Sequence, residues 1–347
     1  MRKFLRKRLS FGALFGFIAP CVIAPSAFPA AHAQTLASFS PNGTVSAASV
    51  NARTARIFGA QFPKTSRHIE LYKIRYTSRD QKNRPVVLSG LVAWPRGGAP
   101  RGLVIYNHGT TADRKMSPSR YTGASGSESD MAVLVFASGG YAVAAPDYLG
   151  LGDHQGAHPY PLARANSQSA IDIISPTLRV AARRNVAIGP KIFVTGYSEG
   201  GAVAMWTAQR LDQMSHMSTR FAASAPLSGP YDLSGTTRQS LLGTAPSGAQ
   251  HALRLFLLSY GIYGLHKNQG HRLTEFFKPV MANAVARAYR TNPTDDDIIK
   301  RLAIASTLMG ARNNAENVLT PRFARALRTR DTRDPFVRAL VQNDVYD

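Results

Sequence analysis

The chain has 347 residues, of which 44% are hydrophobic and 18% charged, a balance that excludes an intrinsically disordered polymer and is sufficient for a large buried core. Lys and Arg number 42 against 20 Asp and Glu, for a formal net charge of +22 and a pI near 10.6. Five of those cations lie in the first eight residues, leaving +17 on the rest. They are scattered, without zinc-finger spacing or a clear helix-turn-helix pattern, so a solvated basic surface is a simpler reading than a nucleic-acid partner.

In chain order, Arg2, Lys3, Arg6, Lys7 and Arg8 precede an apolar run over 9–24, and small residues follow up to Ala31-His32-Ala33 and Gln34. Basic, then apolar, then A-x-A is the order of a signal peptide; cleavage is expected after Ala33, giving a secreted or periplasmic protein with residues 1–33 removed. The apolar run is broken by Pro20 and is shorter than the roughly 20 residues that span a bilayer. Cys21, the only cysteine, would be an acyl anchor in a lipoprotein, but Pro20 occupies the small-residue position that such processing needs. The mature chain would then hold no cysteine and rely on its core instead of disulfides.

Residues 34–67 form an N-terminal arm, rich in Ser, Ala, Thr and Asn up to about residue 56, and are expected to be loose. Runs of β-branched and aromatic residues closed by turn residues follow at 68–76, 85–94, 102–107, 141–145, 191–195 and 220–227, each expected to be a strand. Helical patterns occupy 130–138, 166–185 and 199–213. Strand alternating with helix after an opening antiparallel pair predicts an α/β core over 68–239, with a parallel sheet centre and helices on both faces. From 240 to 347 the texture changes. Segments 249–265, 272–289, 295–308 and 321–340 repeat apolar residues at helical spacing, Asp295, Asp296 and Asp297 suit a helix N-terminus, and no strand is predicted.

The stretch that carries chemistry runs from Lys191 to Trp206: an apolar strand pattern enters Gly196-Tyr197-Ser198-Glu199-Gly200 and a helix pattern follows at once. This is G-x-S-x-G in the strand-to-helix context that marks a nucleophile elbow, and Ser198 is the candidate nucleophile. The serine backbone is strained at such a turn, and a β-carbon on either flanking glycine would collide with the adjacent strand or helix. The turn places Ser198 Oγ at the C-terminal edge of the sheet, near the positive end of the next helix. A second element agrees with it. Gly102 to Asn107 reads as a strand ending in His108-Gly109-Thr110-Thr111, the position from which such an enzyme draws one backbone donor for the oxyanion. Acyl transfer builds negative charge on the carbonyl oxygen, and each preorganised N–H there is worth roughly 3 kcal/mol. The donors are assigned to the backbone N–H groups of Glu199 and Thr110, with Thr111 as the rival of Thr110; His108 is expected to be a structural, hydrogen-bonding histidine.

Four motifs occur together: Gly140-Tyr-Ala-Val-Ala-Ala-Pro-Asp-Tyr-Leu-Gly-Leu-Gly, His158-Pro-Tyr, Gly196-Tyr-Ser-Glu-Gly-Gly and Ser228-Gly-Pro-Tyr-Asp-Leu. Through them the chain, from about residue 69 to 347, resembles the secretory lipases of the α/β-hydrolase superfamily and their bacterial relatives. The resemblance implies a mostly parallel sheet flanked by helices with an α-helical lid over 240–347. It also implies hydrolysis of carboxylic esters, as in lipid breakdown, through a seryl acyl-enzyme. It places Asp147 and Tyr148 on a loop beside the active site. Asp147, His154 and His158 are expected to structure loops, because the acid of a catalytic triad follows the serine in such chains.

The triad base and acid are not found in this order. After Ser198 the histidines are His216, His251, His266 and His271, none of which follows an apolar strand pattern, and 272–347 contains no histidine. In the family, a segment like Asn343-Asp-Val-Tyr-Asp347 continues into further strands, the aspartate and the histidine. The last strands therefore look absent, and the ester hydrolase is expected to be inactive or impaired, since loss of triad members costs on the order of 10⁶ in rate. The alternatives are a catalytically dead hydrolase-like protein and a cationic protein that binds anionic envelope surfaces. No metal-ligand spacing or cofactor motif is present, and no cofactor is expected.

Overall fold

The computed structural model describes residues 35–346 except Thr219 and Arg312. The expected signal peptide and its cleavage site lie outside the described residues. The arm expected to be loose is instead built into the sheet. Leu36–Val45 is a strand, β1, and Ala47–Phe58 a helix, α1, whose N-terminus is capped by Ser46, its side chain accepting from the Ser49 N–H. β1 pairs antiparallel with Ile69–Arg79, β2, which forms a hairpin with Pro85–Pro95, β3. Burial does not alternate along β1, most of which faces solvent; backbone pairing with β2 holds it, and such pairing leaves no hydrophobic period of two to read.

The remaining strands are Leu103–Asn107 (β4), Ala142–Pro146 (β5), Ile192–Tyr197 (β6) and Phe221–Leu227 (β7). The sheet order is β1-β2-β3-β5-β4-β6-β7, antiparallel as far as β5 and parallel from β5 to β7. All six runs expected to be strands are strands, and the centre is parallel. Intervening helices are Glu128–Ala132 (α2, which continues as a π-helical turn through Val133–Ala137), Ala163–Asp172 (α3), Ile174–Arg183 (α4), Glu199–Gln213 (α5) and the single turn Ser215–Ser218 (α6).

Period-two alternation divides the apolar side chains between two faces. Leu91, Ala93, Val143 and Ala145 pack with Val50 of α1 and with Val133 and Leu134. Val92, Trp94, Ala142 and Ala144 pack with Ile171 of α3, Ile174 of α4, and Ala202 and Val203 of α5. Helices therefore cover both faces. β7 is paired on one side only, to β6, and most of its residues are exposed.

Beyond β7 the described residues form no named strand. After the single turn Arg238–Ser240 (α7), Gly248–Gln269 (α8), Pro279–Ala288 (α9), Asp295–Leu308 (α10), Pro321–Thr329 (α11) and Pro335–Val341 (α12) share one core, in which Phe323 meets Phe276 and Phe336 edge-on at 5.0 and 5.8 Å. Three segments expected to be continuous helices are each interrupted shortly before a proline. The pattern over 166–185 breaks at Ile173 ahead of Pro176, that over 272–289 restarts at Pro279, and that over 321–340 restarts at Pro335. Proline has no N–H to bond the preceding turn and is tolerated only in the first turn of a helix. At α10 the expected acidic start is observed: Thr294 and Asp297 cap each other reciprocally. Among the described residues no helix is long and apolar enough to cross a membrane.

Candidate active site

The elbow sits between β6 and α5. Ser198 has φ 55° and ψ −122°, a conformation that side chains rarely adopt, and its N–H donates to the Leu227 carbonyl at 3.0 Å. The flanking glycines are sterically required. A β-carbon on Gly196 would lie 2.3 Å from the Gly200 carbonyl oxygen, and one on Gly200 would lie 1.9 Å from that of Asn107. The second of these contacts shows that the end of β4 presses directly on the start of α5.

Gly109 brings the loop after β4 against the elbow: a β-carbon there would be 3.3 Å from the Tyr197 carbonyl oxygen and 3.7 Å from Ser198 Cβ. The loop is held from behind by Glu128 at the start of α2. Its carboxylate accepts from the Gly109 N–H at 2.9 and 3.0 Å and from the Tyr106 hydroxyl at 2.8 Å. Burial, reinforced by that carboxylate, raises the Tyr106 phenol well above its ordinary pKa. Among the described residues the N–H groups of Thr110 and Glu199 meet no acceptor. The N–H of Thr111, the rival, likewise meets no acceptor among the described residues, while its hydroxyl donates to Asp295 at 2.8 Å and its carbonyl accepts from the Tyr260 hydroxyl at 2.9 Å, which fixes that residue against the helices after β7. Burial, foremost, raises the Asp295 pKa.

The histidines around the elbow are engaged in structure. His108 is buried against Tyr148, with ring centroids 4.2 Å apart; its Nδ1 is 2.8 Å from the Gly109 carbonyl oxygen and its Nε2 3.4 Å from that of Asp147. His154 Nδ1 accepts from the Gly150 N–H at 2.9 Å, and burial, then Arg114, lowers its pKa. His158 Nδ1 lies 2.8 Å from the Leu149 carbonyl oxygen and Nε2 lies 2.7 Å from Glu199 Oε1. Asp147, fully buried, accepts from the Ser119 N–H at 2.7 Å and the Ser89 hydroxyl at 2.5 Å; burial is the main cause of its raised pKa. Further along the chain, His251 bonds Ser306 at 2.7 Å, His266 bonds the His271 carbonyl at 2.7 Å, and His271 faces Glu275 at 3.4 Å. The side chain of His216 lies outside the described residues. No hydrogen bond reaches Ser198 Oγ among the described residues.

Two supports had no signal in the sequence. Glu199, named for its backbone, also carries a buried carboxylate that accepts from His158 and from Asn166 Nδ2 at 3.1 Å, which ties α5 to the loop after β5 and to α3. Glu128, which orients Gly109, stands nineteen positions away from it in the chain. Neither pairing has a local spacing that would reveal it.

Residues 118–214 match the model of the secretory lipase family. The chain has the α/β-hydrolase fold. A presumed hydrolase of Legionella pneumophila superposes with TM-score 0.75 at 24% identity, covering 89% of this chain and 78% of that one. The rice cell wall degrading esterase LipA of Xanthomonas oryzae gives 0.73 at 22%, covering 90% and 79%. Candida antarctica lipase A gives 0.59 at 13%, covering 89% and 64%. Comparison with curated proteins finds no match. The matched segment of this α/β-hydrolase-fold chain runs from the loop before α2 to the end of α5 and so includes the elbow.

Proposed function

We propose that the chain is a carboxylic ester hydrolase of lipase or esterase type, with Ser198 as nucleophile and the N–H groups of Glu199 and Thr110 as oxyanion donors. The observation that carries this reading is the strained elbow, with its serine set beside a loop whose Thr110 N–H is unengaged. Ser198 Oγ would add to the ester carbonyl carbon, the alcohol would leave with the serine proton, and water would then cleave the acyl-enzyme to acid and free serine. The helical region after β7 serves as a lid. Between it and the loop after β5, a cavity of about 330 Å³ lined by Leu233, Leu241, Leu257 and Leu258 suits an acyl chain.

The same geometry limits the rate. Both ring nitrogens of His108 and of His158 face other acceptors, so neither is free to take the serine proton. The oxyanion donors and binding contacts alone support roughly 10³ to 10⁴-fold catalysis over water. Matching the secretory lipase model, together with the basic and A-x-A leader, supports export with a mature N-terminus at Gln34; N-terminal sequencing of exported protein tests this.

Hydrolysis of a short p-nitrophenyl ester tests the site. The wild-type rate is expected to be low and little changed in Ser198→Ala, while free imidazole, acting as an external base, raises the wild-type rate above that of the variant. Efficient turnover without imidazole, abolished in Ser198→Ala, would show that a resident base serves the serine. No difference between the two proteins at any imidazole concentration would remove Ser198 as the nucleophile.

A further inference from the structure

A second cavity, of about 370 Å³, lies between the loop after β5, the loop after β4 and the α8–α9 pair. Its volume is in the range of small-ligand sites. One wall is aromatic: the rings of His158, Tyr260, Tyr289 and Tyr263 follow one another at 5.6, 5.6 and 4.6 Å between centroids. The rest is cationic, with Arg114, Lys267 and Arg290 on the lining and no Asp or Glu among the lining residues.

Arg114 is the informative one. It is half-buried, and its two terminal nitrogens donate only to the neutral carbonyls of His154 at 2.6 Å and Gly156 at 2.7 Å. Among the described residues it forms no ion pair, and neither do Lys267 and Arg290. A partly desolvated guanidinium without a counter-charge is unfavourable, and an anion placed beside it removes that cost. The carboxylates behind the wall are not available to do so: Asp295 accepts from Thr111 and the Ala112 N–H, and Glu199 from His158 and Asn166.

We propose that this cavity binds a small planar aromatic carboxylate, its ring lying on the tyrosine wall and its carboxylate meeting Arg114, Lys267 and Arg290. The rings stack on one another, so they offer a ligand their edges and the half-buried Tyr263, against which a planar aromatic ring packs edge-on or offset, and the guanidinium fork matches the two oxygens of a carboxylate. The site adjoins the elbow through His158 and Ala112. It goes beyond the ester reading, and its test measures binding without turnover.

Isothermal titration calorimetry with 2-naphthoate, and with the neutral 2-naphthalenemethanol, supplies that test on the full chain. Naphthoate is expected to bind at least about tenfold more tightly than the alcohol. Lys267→Glu with Arg290→Glu, both at exposed positions, should remove that preference and leave alcohol binding unchanged. Arg179→Glu with Arg183→Glu on α4, an equal change of net charge, should alter neither, and Tyr263→Leu should weaken both ligands. Ser198→Ala should bind as wild type does, so failure of the ester assay leaves this result standing. Absence of naphthoate binding at millimolar concentration, equal binding of acid and alcohol, or equal loss in the α4 pair overturns the proposal. Inorganic phosphate binding as tightly as naphthoate overturns the aromatic part of it.

Discussion

Gly200→Ala tests the elbow most directly, because the effect can be worked from one contact. The new methyl would stand 1.9 Å from the Asn107 carbonyl oxygen, 2.5 Å from its carbon and 2.7 Å from the His108 carbonyl oxygen. All three are backbone atoms, so no side chain can swing aside; the start of α5 or the end of β4 must withdraw by about 1 Å. Overpacking of this kind costs about 1–3 kcal/mol where side chains can adjust, and the upper end applies here, about 3 kcal/mol. For a domain of this size that is on the order of 5 °C in Tm. Gly248→Ala is the matched control: Gly248 also opens a helix, α8, and its β-carbon would meet nothing within 4 Å. It should be neutral or slightly stabilising, because alanine loses less backbone entropy on folding. Urea and thermal unfolding of both variants by circular dichroism give the comparison. Stabilities within about 0.5 kcal/mol of one another, below the range expected for overpacking, would refute the idea that close packing of β4 on α5 is what demands glycine here.

Three further outcomes follow from side-chain contacts. His158→Leu leaves the buried Glu199 carboxylate with Asn166 alone and one oxygen already without a partner; it should cost about 3 kcal/mol in urea unfolding, partly recovered by adding Glu199→Gln. Asp232 accepts from the Gly235 N–H, the Thr236 N–H and hydroxyl, and the Tyr346 hydroxyl, of which the last contributes most to holding its pKa well below the usual carboxylate range. A lowered folded-state pKa adds stability that is present above the unfolded value, near 4, and is lost as the pH falls through the folded one. Asp232→Ala should therefore destabilise by about 1 kcal/mol at pH 7, with the gap to wild type narrowing steadily as the pH falls below about 4; a constant gap from pH 7 to 2 would contradict this. Asp147→Leu, which leaves the Ser119 N–H and the Ser89 hydroxyl without their buried acceptor, should lower stability by about 2 kcal/mol or more, read from the shift in urea midpoint.

What was readable in the sequence was local. Gly196 and Gly200 announce the elbow because the strain and the close approach arise within one turn and only glycine tolerates them. The six core strands announce themselves as short β-branched and aromatic runs; β4 and β5, buried throughout, need apolar side chains on both faces, whereas β7 is apolar although most of its residues are exposed. The helix starts around Pro176, Pro279 and Pro335 were not read, because the apolar spacing runs on through them without a break. β1 and α1 were hidden because an edge strand held by backbone bonds to β2 requires little of its own side chains. The supports of the site were hidden for a different reason. His158 meets Glu199 across 41 positions and Glu128 meets the Gly109 N–H across 19, and Arg114 gathers with Lys267 and Arg290 only once α8 and α9 close over the loop after β5. Partners so distant in the chain satisfy one another only after the sheet and helices have packed, so the tertiary structure alone decided which charges are paired, which histidines are occupied and which cations are left facing an open cavity.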